Sequence, residues 1–157
     1  MKSVVVRKDS MGKRQRMPVE LLLKPFSFIV VDAIGPLPKS RMGNKYIIVV
    51  VDYVAFSVKD LKTSTWLKVL MDGIVTRYGV PTNLLSDQGR NFISALAKNF
   101  YQIIGIHKLT STAYHPETQG LEERFNGTIV RMLKMFVSEN QQDWDTYLPK
   151  MLFAYRM

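Results

Sequence analysis

Cysteine is absent from all 157 residues. Disulfides and cysteine-containing zinc sites are therefore excluded here, while the absence is compatible with any compartment. Long apolar runs are missing as well. The longest, around Ile47 to Val51, is β-branched and strand-sized, far short of the roughly 20 residues of a membrane-spanning helix. No secretory leader is expected, because Met1-Lys2-Ser3 opens onto three valines before charge returns. Acidic residues are scarce: 13 Asp and Glu stand against 22 Lys and Arg, a formal net charge of +9. Such a balance favours a polyanionic partner, nucleic acid or an anionic membrane surface, although charge alone also fits an ordinary basic protein. Repeats and low-complexity tracts are absent too. What remains, 46% hydrophobic and 22% charged residues, is the make-up of one globular domain with a real core.

Residues 1–24 read as a basic tail or linker. Lys2, Arg7, Lys8, Lys13, Arg14 and Arg16 are opposed only by Asp9 and Glu20. The Lys13-Arg14-Gln15-Arg16 cluster suits a nuclear address, a phosphate-binding arm or a plain solvated linker. From Pro25 the pattern changes. Phe26 to Ile34, Lys45 to Tyr53, Val54 to Lys59, Asn83 to Ser86 and Ile106 to Leu109 read as strands. Helices are expected over Ser64 to Tyr78, closed by Gly79, and from an Asn91 cap through Ile104, closed by Gly105. In the second of these, Phe92, Leu96, Phe100 and Ile103 share one face. Thr110 to Gln119 is a polar loop. Leu121 to Val137 is an amphipathic helix with Leu121, Phe125, Ile129, Met132 and Phe136 in one stripe. Trp144 to Tyr155 is a last helix without a stop signal, so the chain is expected to be cut short there. Trp66 and Trp144 read as core or interface. Three strands followed by alternating helices and strands predict an α/β fold: a mixed five-stranded sheet with helices on both sides.

Three carboxylates stand out. Asp32 interrupts the apolar strand, where an ionised carboxylate is costly unless paired or metal-bound. Asp87 lies in Ser86-Asp87-Gln88-Gly89, where it also suits a turn. Glu123 lies about 200° around its helix from Leu121, on a face shared with Asn126, Gly127 and Lys134; it also suits an ordinary first-turn acid. Counting along the chain, 35 residues separate Asp87 from Glu123. Brought together from two strand ends and a helix, the three would form an oxygen-rich pocket for one or two Mg²⁺ ions.

The blocks around these acids resemble the catalytic core of retroviral-type integrases, above all those of Ty3/gypsy-like LTR retrotransposons. They are Asp32 to Ser40 (DAIGPLPKS), Gly43 to Tyr53 (GNKYIIVVVDY), Arg77 to Pro81 (RYGVP), Ser86 to Phe92 (SDQGRNF), Tyr114 to Asn126 (YHPETQGLEERFN), Asp143 to Pro149 (DWDTYLP) and Phe153 to Arg156 (FAYR). The resemblance spans Pro25 to Arg156 and places an integrase core in residues 25–157. It implies an RNase H-like fold with Asp32, Asp87 and Glu123 as the catalytic, metal-binding triad; the Glu-Arg-x-Asn frame selects Glu123 over Glu122. It implies Mg²⁺ or Mn²⁺, two ions, and DNA integration by trimming of retroelement DNA ends and joining of their 3′-hydroxyls to target DNA. A homodimer or higher multimer, action in the nucleus, and no membrane or small-molecule substrate follow from the same resemblance. Gln88, Asn91, His115, Asn126 and Lys134 are candidate nucleic-acid contacts.

Two departures bear on this reading. Val54 to Thr65 is about five residues shorter than that family shows, so a shortened third strand or a helix lacking its first turn is expected. The His-His-Cys-Cys zinc domain that normally precedes the core, and the parts that follow it, are not in this sequence, so weak integrase activity is expected. The alternative is a catalytically inactive, retroelement-derived nucleic-acid-binding module.

Overall fold

The computed structural model describes residues 26–50, 54–110, 116–136 and 141–156. Five strands form one mixed sheet: β1 (Phe28–Ile34), β2 (Tyr46–Val50), β3 (Val54–Val58), β4 (Asn83–Ser86) and β5 (His107–Thr110). Their order is β3-β2-β1-β4-β5. β2 pairs antiparallel with β1 and β3, while β4 pairs parallel with β1 and β5. Central strands covered on both faces read as continuous apolar runs. Phe28, Val30, Ile47, Val49 and Leu85 form one core with Phe125, Ile129, Leu133, Trp144, Leu148, Met151 and Leu152. Ile29, Val31, Ile48, Val50 and Leu84 form the other with Trp66, Leu70, Ile74, Phe92, Ala97 and Tyr101. Both tryptophans are thus core residues.

Three expected elements differ in the structure. The helix over Ser64 to Tyr78 is composite: α1 (Thr63–Lys68), a π-helical segment (Val69–Val75) and α2 (Thr76–Tyr78), ending at Gly79 with φ +91°. The segment seats Gly73 directly on Phe56 of β3; a Cβ there would lie 2.6 Å from the ring. The helix expected to start at an Asn91 cap is two helices, α3 (Arg90–Ile93) and α4 (Ala95–Ile104). Asn91 lies inside α3, and Ser94 separates the two with an extended backbone (ψ 161°) while its Oγ accepts the Ala97 amide at 3.3 Å. That break resets the helical phase, so Ala97 and Tyr101 face the core while Leu96 and Ile103 are 58% and 82% exposed. Of the expected face, Phe92 is buried and Phe100 packs against the core, whereas Leu96 and Ile103 point outward.

The third difference is α5 (Pro116–Phe136), whose backbone is helical from Pro116, inside the expected loop. Proline suits a helix's first turn, where its missing N–H would have no partner anyway. Among the described side chains of α5, Phe125, Ile129 and Leu133 join the core, with Met132 beside them. Helix α6 (Trp144–Arg156) follows.

The short stretch after β2 has neither expected consequence. All five residues of β3 pair with β2, and α1 starts one residue earlier than expected. Asp60 organises the connection, its Oδ1 accepting the Lys62 amide at 2.9 Å and the Thr65 hydroxyl at 2.5 Å. The long β1–β2 connection is pinned to α6. Asp145 Oδ2 accepts Ser40 Oγ at 2.6 Å and Asn44 Nδ2 at 2.8 Å, and Trp144 Nε1 donates to the Pro38 carbonyl at 2.6 Å.

Candidate active site

Strand alternation decides where Asp32 points. Phe28 and Val30 belong to the core shared with α5, and Asp32 continues their face two residues on. Its register partner is Val49, another member of that core. Val31 pairs with Ser86 across the parallel β1–β4 ladder. Asp32 is the next residue of β1 and Asp87 the first residue past the end of β4, so the two carboxylates are neighbours towards the carboxyl end of β4, where open α/β sheets bind ligands. Asp32 is half-buried, and Asp87 is exposed.

Each carboxylate is oriented. Asp32 Oδ1 accepts the Ala33 amide and Oδ2 accepts Asn126 Nδ2, both at 2.8 Å. Asp87 Oδ1 accepts the Gly89 amide at 2.9 Å, an Asx turn that starts the loop into α3. A Cβ on Gly89 would lie 3.0 Å from both Asp87 Oδ1 and Asn91 Oδ1, so Asn91 abuts the Asp87 loop. Burial raises the pKa of Asp32 above the ordinary carboxylate value; the hydrogen bond from Ala33 opposes this, the charge of Asp87 adds to it, and the bond from Asn126 opposes it again. Asn126 Oδ1 and Asn91 Nδ2 are buried with no hydrogen-bond partner among the protein atoms.

Glu123 sits one helical turn before Asn126, on the same side of α5, and is exposed. The structure thus joins Asp32, Asp87 and Asn126 and leaves Glu123 one turn away. Among the described residues, no three His, Cys, Asp or Glu side chains stand close enough together to hold a metal ion. Gln88 is exposed beside Asp87, Lys134 is exposed near the end of α5, and His115 lies outside the described residues. One charged neighbour escaped the sequence reading. Lys108 of β5 is half-buried, its Nζ donating to the Leu109 carbonyl. Burial brings its pKa down to about 8, against the opposing pull of Asp87. A lysine inside the short run Ile106 to Leu109 was the available signal.

Known proteins share this arrangement of elements. No family model matches the chain. The chain is 28% identical over 135 residues to the retrovirus-related Pol polyprotein from transposon 412 of Drosophila melanogaster, covering 83% of the chain and 11% of that protein. It is 35% identical over 137 residues to the Pro-Pol polyprotein of simian foamy virus type 3 (strain LK3), covering 84% of the chain and 12% of the relative. The magnesium complex of the HTLV-2 integrase catalytic core domain, in its trimeric form, superposes with a TM-score of 0.62 at 19% identity, over 84% of this chain and 86% of that one.

By sequence the chain is related to a segment of retroviral and transposon Pol polyproteins, and its fold is that of retroviral integrase catalytic cores.

A chain of the simian T-cell lymphotropic virus intasome, solved with the PP2A regulatory subunit B56 gamma, also superposes on this core. Its TM-score is 0.67 at 23% identity, over 84% of the present chain and 49% of the other. The mixed five-stranded sheet flanked by helices is the RNase H-like arrangement of integrase cores. The core spans only about a tenth of the length of the two Pol polyproteins named.

Proposed function

We propose that this integrase core is the catalytic part of a metal-dependent polynucleotidyl transferase that trims retroelement DNA ends and joins them to target DNA. The observation that carries the reading is the pair Asp32 and Asp87, from β1 and the end of the adjacent parallel strand β4, with Asn126 tying Asp32 to the helix that bears Glu123. Two neighbouring carboxylates, one of them partly desolvated, repel each other until a cation offsets their charge. Their hard oxygens, with the unpartnered Asn126 Oδ1 nearby, fit Mg²⁺ or Mn²⁺. Asp32, Asp87 and Glu123 are the residues that would hold two such ions, with Glu123 completing the set by a side-chain movement. When bound, the ions supply a Lewis acid at the phosphodiester and an activated attacking oxygen.

The remaining roles belong to the protein itself. The Asx turn at Asp87 sets the direction of its carboxylate, and Asn126 sets that of Asp32. Gln88, Asn91, Asn126, His115 and Lys134 are the proposed DNA contacts, and the net charge of +9 supplies sequence-independent attraction. The magnesium complex and the intasome support metal use and multimeric assembly on DNA as readings for this chain. Action in the nucleus follows from the same reading.

The test is the reverse, splicing-type reaction on a branched DNA with Mg²⁺ or Mn²⁺, beside an Asp87→Asn control. Metal-dependent product, lost in the control, is expected. Product surviving in Asp87→Asn would overturn the assignment. The position of Glu123 outside the Asp32–Asp87 pair favours the second reading, a catalytically inactive DNA-binding module. That reading requires salt-sensitive DNA binding with no product at any metal concentration.

A further inference from the structure

A cavity of about 550 Å³ opens beside Asp87, between α3, α4 and the edge strand β5. Its volume is that of a site for a small organic group. Ile93, Tyr101 and Ile106 supply apolar wall, and Gln88, Lys98 and Lys108 supply amide and cationic groups. Lys108 shares the face of Ile106 by strand alternation, so its stem runs along the helix-covered side of the sheet. A lysine packed in this way keeps an apolar stem covered while its ammonium reaches the cavity. Gln88 belongs both to this wall and to the Asp87 turn, so the cavity adjoins the carboxylate pair. On α4, Lys98 follows Ala97, the residue whose amide Ser94 caps, so the break at Ser94 also sets where Lys98 stands.

We infer that this cavity holds one nucleotide of the DNA strand that leads away from Asp87, its phosphate on Lys98 and Lys108 and its sugar or base edge against Ile93 and Ile106. The inference rests on the DNA-handling reading above and deepens it by naming a contact away from the carboxylates. Phosphate contacts position a nucleic acid without reading its sequence. Two cations beside an apolar wall match a sugar-phosphate unit better than they match an isolated inorganic anion, which has no apolar part to cover. The surplus of Lys and Arg across the chain draws in a polyanion, and the cavity lies where such a strand would run past the pair.

The test uses the full chain and a short fluorescein-labelled DNA duplex, with anisotropy titrations across a salt series in EDTA, so that catalysis plays no part. Each phosphate contact contributes about 0.9 to the slope of log K against log salt. The Lys98→Gln/Lys108→Met double variant removes that one phosphate contact and is expected to flatten the slope by about 0.9, and Lys98→Gln alone by part of that. Lys98 is exposed, so the single variant keeps the test valid should the double variant unfold. The control, Lys59→Gln/Lys68→Gln, removes the same charge beside the remote cavity at the π-helical segment and is expected to leave the slope unchanged. Equal flattening in both double variants, or none in either, would overturn the inference.

A second readout is positional. The chain has no cysteine, so Lys98→Cys carries a unique thiol. It is expected to form a disulfide with thiol-tethered DNA in preference to Lys68→Cys; equal crosslinking at the two sites counts against the cavity. Tight binding of a free nucleotide monophosphate at Lys108, with the DNA slope unaltered, would make this a small-molecule site and overturn the proposal. Wild-type protein that binds no DNA would remove the broader reading and this one together. Wild-type binding with an unchanged variant slope would remove only this one.

Discussion

Replacing Asp32 by Asn should stabilise the metal-free protein. Burial and the charge of Asp87 both disfavour the ionised carboxylate and outweigh its hydrogen bonds. The replacement keeps those bonds within reach. The new amide oxygen accepts from Ala33, and a flipped Asn126 presents its unpartnered Oδ1 to the new Nδ2. Relieving one unfavourable charge without loss of packing is typically worth about 0.5–2 kcal/mol, or roughly 2–6 °C in Tm for a chain of this length. The pH dependence has a fixed sign. The folded-state pKa of Asp32 is raised above 3.8, so the folded protein still holds the proton where the unfolded chain has released it. The wild type therefore recovers stability relative to Asp32→Asn as pH falls through the raised folded value towards 3.8, and the advantage of the variant is full only above that window. Mg²⁺ should shrink that advantage at neutral pH. At about ten times its dissociation constant the ion adds roughly 1.4 kcal/mol to a protein that binds it. Wild type should gain that increment and Asp32→Asn should not. Differential scanning calorimetry at neutral pH, with EDTA and with Mg²⁺, reads both effects. A variant less stable than wild type in EDTA would refute the desolvation argument. An unchanged Mg²⁺ shift in the variant would refute metal binding by Asp32.

Other perturbations test the scaffold behind the pair. Tyr101→Phe removes the hydroxyl that accepts Trp66 Nε1 at 2.7 Å and donates to the Phe92 carbonyl at 2.8 Å, leaving two buried groups unsatisfied. The expected loss is about 2–4 kcal/mol, read by urea unfolding; a loss within error would show that α3 and α4 do not depend on this link. Burial holds the Tyr101 pKa up at about 12, so wild-type stability should fall between pH 10 and 12, where the unfolded chain ionises first, and the variant should lack that fall. Lys108, with its pKa brought down to about 8 from 10.5, has the opposite dependence: relative to Lys108→Met, wild type should gain stability as pH rises through that interval, and parallel pH curves would refute its desolvation. Gly73→Ala places a Cβ 2.6 Å from the Phe56 ring and should cost about 1–3 kcal/mol. Phe56→Leu in the same background should recover part of it, and an additive second loss would contradict the contact.

Much of the fold was legible because its signals are local. The apolar runs at Phe28 to Ile34, broken only by Asp32, and at Tyr46 to Val50 mark strands covered on both faces, and Gly79 and Gly105 close their helices with positive φ as expected. Asp32 was legible as a costly charge in an apolar strand, and its pKa is indeed raised by burial. Ser94 was not legible as a breaker. Serine is tolerated within helices, and only the cap bond it makes to Ala97 reveals the restart that turned Leu96 and Ile103 outward. The π-helical segment was hidden for a similar reason, because its cause is the Phe56 ring of another strand beneath Gly73.

The sequence by itself determined the elements and their chemistry: alternating runs, helix-ending glycines, a basic surplus and three acids in recognisable frames. Those features depend on side-chain type and on spacing within a few residues. Tertiary structure alone decided that Val31 stands opposite Ser86 and so sets Asp32 beside Asp87, and that Asn126 reaches across 94 positions to hold Asp32. It also decided that Lys108 loses hydration at the edge of the same site. Register, burial and the field of a distant charge are properties of the packed chain, set by contacts between residues that no local pattern connects.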